Sequence, residues 1–92
     1  MEDSDDVDDD VFTHEKLVEA VENQLSANQP EAAQATLNML ALVGYSREDS
    51  LDLMAQVLAH RISVMLETRE TFDLAAYERE LRRLPELPGE AG

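Results

Sequence analysis

Apolar residues recur at steps of three and four from Leu17 to Leu84, and no stretch alternates with a period of two. A chain patterned in this way hides its apolar surface by packing helices on one another, because a half-buried strand would need every second residue to be apolar. The expected fold is therefore all-α: a small four-helix, bundle-like domain over residues 11–85.

Local signals place the helices. Leu17, Val18, Val21 and Leu25 form one stripe, Thr13 is the expected N-cap, and the helix should run to about Ser26. Pro30 and Glu31 suit the first turn of a second helix, since the missing proline N–H has no partner to lose there and the acid faces a positive dipole end. That helix should reach Val43 and stop at Gly44, which tolerates the left-handed conformation that ends helices. Ser46 and Asp49 have capping-box spacing and open the longest helix, about residues 47 to 67. Asp73 caps a last helix whose Leu74, Tyr77, Leu81 and Leu84 are expected to face inward, ending before Pro85.

Charge divides the chain. Residues 2 to 10 hold seven of the 21 acids and no base, half of a net charge of -14. Such a run cannot bury enough surface to offset its chain entropy, so residues 1–10 are expected to be a disordered acidic tail, with residues 86–92 a flexible C-terminal tail. The tail fails as a calcium loop: counted from Asp3, Asp8 stands where glycine is required and His14 where the bidentate glutamate should be. It could instead occupy a basic protein partner. Nucleic acid is not an expected partner, because seven bases face the 21 acids and Glu78 and Glu80 interleave the one cluster of Arg79, Arg82 and Arg83. No apolar run approaches membrane-span length and no basic leader is present, so a cytoplasmic protein without membrane contact is expected. The absence of cysteine suits a reducing compartment and removes thiolate metal sites and thiol nucleophiles.

Few residues offer chemistry. His14 shares the arc of Leu17, Val18, Val21 and Leu25, so its ring is expected to touch the core and bond to a backbone group or carboxylate. His60 borders a polar stripe of Asp52, Gln56, Ser63 and Glu67, expected to be a solvated face. As an alternative, His14, His60, Asp52 and Glu67 are the candidates for holding a metal or small ligand, although neither Glu-x-x-His nor His-Glu-x-x-His spacing occurs. No nucleophile elbow is present, Ser46 and Ser50 suit helix capping, and neither a catalytic residue nor a cofactor is expected. Arg61 falls inside an apolar arc between Met54 and Val57, where it is expected to pair with a carboxylate.

The segments Glu22-Asn23-Gln24-Leu25 with Asn28-Gln29-Pro30, Gly44-Tyr45 before a charged helix start, and Phe72-Asp73 with Tyr77, Leu81 and Leu84-Pro85 resemble an uncharacterised bacterial family of small all-helical proteins, across residues 12–85. The resemblance implies a helical fold and no activity. Relatives in that pattern carry a histidine one turn after the first and a His-Glu-x-x-His-like element opening the third helix; here those places hold Val18 and Glu48 to Asp52, so metal binding is not implied.

The second and third helices each carry two apolar faces: Ala33, Leu37, Leu40 and Ala41 against Ala35, Met39 and Leu42, and Leu51, Met54, Leu58, Ile62 and Met65 against Leu53, Val57 and Val64. Such an excess predicts a homodimer, with Met39, Leu42, Leu53, Val57, Arg61 and Val64 at the interface. The expected function is that of a non-catalytic protein-interaction or regulatory module.

Overall fold

The computed structural model describes residues 13–88, which form four helices and no strand: α1 (His14–Ala27), α2 (Glu31–Leu42), α3 (Arg47–Thr68) and α4 (Leu74–Arg82). The expected all-α fold is observed. The acidic stretch 1–10 and residues 89–92 lie outside the described residues. Past Pro85 the chain stays on the body, with Leu87 packed against the core.

Each helix begins where a side-chain oxygen can take an orphan N–H, except at Pro30. Thr13 Oγ1 accepts from the Lys16 amide at 3.3 Å, Ser46 Oγ from Asp49 at 3.0 Å and Asp73 Oδ1 from Ala76 at 3.0 Å. The helix ends are equally specific. After α1, Asn28 turns left-handed (φ 58°), its amide donating to Leu25 O and that of Gln29 to Gln24 O. After α2, the Gly44 amide donates to Ala41 O and the Tyr45 amide to Leu40 O, the paired pattern of a Schellman stop. Gly44 sits at φ 107°, and although a Cβ there would meet nothing within 4 Å, the backbone conformation itself favours glycine. α3 ends on Arg69 at φ 59°, a conformation unusual for a residue of this type.

α3 is the central element, in contact with α1, α2 and α4, while α2 also packs on α1 and α4. The core gathers Val21 from α1, Ala33 and Leu40 from α2, Met54, Ala55 and Val57 from α3, and Tyr77 and Leu81 from α4, all fully buried. The contact of α1 with α3 is the most extensive between any two helices. Val18 meets α3 at Leu51, whereas the neighbouring Leu17 shares a hollow with Ala59, Ile62 and Leu66.

Three expectations about faces need correction. Val57 is fully enclosed within a single chain, because the second apolar side of α3 faces α4, where Arg61 pairs with Glu80. Neither Val57 nor Arg61 is thus free for a dimer interface; Met39, Leu53 and Val64 are half-buried, and of the expected set Leu42 alone stands well exposed. On α2 the inward side is Ala32, Ala33, Thr36 and Leu40, with Ala41 exposed. On α4, Leu74 is exposed and Ala76 takes an inward place. Leu74 shares its side of the helix with the buried Leu81, but as the first residue of α4 it lies at the end of the packed face.

Candidate functional site

Where α1 packs on α3, its flank and the first turns of α3 line an open groove of about 710 Å³. From α1 come His14, Glu15, Val18 and Glu22; from α3 come Arg47, Glu48, Leu51 and Asp52. Helical geometry places them there, since positions 15, 18 and 22 share one face of α1, and 48, 51 and 52 share one face of α3. Leu51 is buried and Val18 half-buried, so they form an apolar floor, while four carboxylates and one guanidinium stand around it.

One contact ties the two walls: His14 Nε2 lies 2.7 Å from Asp52 Oδ1. Both side chains are about half exposed, at 53% and 47%, so the pair adds little stability and chiefly orients the two groups. The His14 ring does not enter the core as expected; at the first residue of α1 it stands over the groove and finds its carboxylate on another helix.

The remaining candidate ligands do not join this pair. The His60 side chain is half-buried with no hydrogen bond or ion pair among the described residues, Glu67 is exposed, and with exposed Gln56 and Ser63 they line one side of α3. Among the described residues no three acids or histidines are grouped to hold a metal ion. Ser46 serves the α3 cap, and the Ser50 hydroxyl is buried with no hydrogen-bond partner, and so no general base, among the described residues.

A second polar constellation lies inside the fold. Tyr77, fully buried on α4, donates from its hydroxyl to Gln24 Oε1 on α1 at 2.7 Å and meets Phe72 edge to face at 5.6 Å between ring centroids. Burial pushes the phenol up to about 12, while the Gln24 bond pulls it the other way. The Tyr77–Gln24 bond and the groove both escape a reading of the sequence, because each depends on how α1 packs on the other helices.

At the end of α2 the chain exposes large apolar side chains in close succession: Leu42 at 87%, Val43 at 59% and Tyr45 at 36%. Tyr45 belongs to the Schellman stop, in which the residue after the left-handed position often packs back on the helix. Leu42 and Val43 have no such local reason to be apolar.

No protein-family model, curated protein or solved structure matches this chain.

Proposed function

We propose that this chain is a non-catalytic protein-interaction module that works as a cytoplasmic homodimer. The observation that carries the reading is the apolar turn at the end of α2, where Leu42 and Val43 stand in water. Exposed leucine and valine at a helix end cost solubility unless something covers them. A second copy is the simplest cover, because a two-fold axis beside the turn sets Leu42 and Val43 of one protomer against the same pair of the other. The lack of cysteine supports the compartment, as it suits a reducing environment.

The net charge of -14 on each copy opposes association, so screening should strengthen it. Sedimentation velocity at about 50 and about 500 mM salt tests this: the dimer fraction is expected to rise with salt and to vanish in Leu42→Glu, whose melting temperature should stay unchanged. A wild-type monomer at high concentration under both conditions removes the dimer, and an unidentified partner would then have to cover the turn.

A further inference from the structure

The groove between α1 and α3 has a property that helix stability does not explain. First-turn acids are favourable at a helix start, which accounts for Glu15 on α1 and Glu48 on α3. Glu22 is two turns into α1, beyond the reach of that effect, yet it lines the same groove. With Asp52 this makes four carboxylates around an apolar floor of Val18 and Leu51, against Arg47 as the one fixed cation.

We propose that this groove binds a cationic amphipathic helix of a partner protein, with aliphatic side chains on Val18 and Leu51 and lysine or arginine against Glu15, Glu22 and Glu48. Shape and charge together select this occupant. A groove lined by two packed helices accepts a third helix through side chains at steps of three and four. The Glu15–Glu22 step spans about 10 Å along α1, two turns of a helix lying beside it, so basic residues two turns apart would meet both acids. An acidic or neutral apolar helix would leave the like-charged rim unanswered. The packing of α1 on α3 fixes both walls before anything binds, which lowers the ordering cost.

The test uses the full-length protein and a labelled peptide of about four turns, with leucine on one helical face and lysine elsewhere, followed by fluorescence anisotropy at about 50 mM salt. Binding is expected, with amide shifts in the NMR spectrum centred on Val18 and Leu51. Glu15→Lys with Glu48→Lys should weaken it roughly tenfold or more, whereas Glu67→Lys with Glu70→Lys, an equal change of charge far from the groove, should weaken it less than about twofold. Glu22→Lys gives the same reading if the first pair lowers the melting temperature. The proposal is overturned if the distant pair weakens binding as much as the groove pair, if a peptide with its leucines scattered around all faces binds equally well, or if no binding occurs.

Discussion

Arg61 on α3 donates from Nη1 to Glu80 Oε2 on α4 at 2.9 Å, while Arg61 Nε and Glu80 Oε1 are enclosed without a partner among the described residues. The side chains are only 13% and 20% exposed, so each charge depends on the other far more than a surface pair does. The pair also ties α4 to α3, alongside the buried side chains of Tyr77 and Leu81.

Removing one member should therefore be worse than removing both. Arg61→Met alone is expected to cost about 2–4 kcal/mol by leaving Glu80 uncompensated, and Arg61→Met with Glu80→Leu should come back to within about 1 kcal/mol of the parent. Urea unfolding of the two single variants and the double variant measures both quantities.

Tyr77 makes folding sensitive to alkali. Its phenol titrates near 12 in the folded chain and near 10 when unfolded, so its contribution is complete below pH 10 and declines as pH rises towards 12, because only the unfolded state then loses the proton. The loss should total roughly 1–3 kcal/mol across that window. Tyr77→Phe should cost about 1 kcal/mol at neutral pH through the lost bond to Gln24 and flatten the alkaline decline. Unfolding curves between neutral and alkaline pH show whether the slope belongs to this residue.

Arg69→Gly should stabilise the fold by up to about 1 kcal/mol, since glycine relieves the left-handed conformation at the end of α3 but adds freedom to the unfolded chain. The Arg69 side chain is exposed and makes no ion pair among the described residues. A lowered melting temperature would show that the αL stop is not strained.

Glutamate at two apolar positions should separate packing from association. Val57→Glu is expected to unfold the chain, because the carboxylate would sit in the core, where the nearest cation, Arg61 one turn on, is already bound to Glu80. Leu42→Glu should leave circular dichroism unchanged, as that side chain is 87% exposed.

The sequence is legible where the controlling interaction is local. Thr13, Ser46 and Asp73 cap the helices that their spacing predicts, and Gly44 closes α2 in the conformation expected of it. Arg61 is legible in part: its place among apolar residues demands a carboxylate, but nothing short of the α3–α4 packing singles out Glu80. Faces are where the reading fails. A helical wheel counts two apolar sides on α3 without showing that three neighbours cover them, and so it places Val57 outside when it lies at the centre. Of the candidate ligands, His14 and Asp52 meet because α1 packs on α3, while His60 and Glu67, closer to Asp52 in sequence, do not join them.

The uneven burial of α3 has a consequence for how the molecule opens. Its fully buried side chains end at Leu58, and from Ser63 to Thr68 each residue is exposed or half-exposed. These six residues have less side-chain cover than the rest of α3 and can unwind without disturbing Val21, Met54 or Tyr77. Amide hydrogen exchange should run as a gradient along this one helix, fast from Thr68 back to about Ser63 and limited by global unfolding near Met54. The same rod of backbone would then contain a part that breathes continually and a part that releases its protons only when the whole fold is lost.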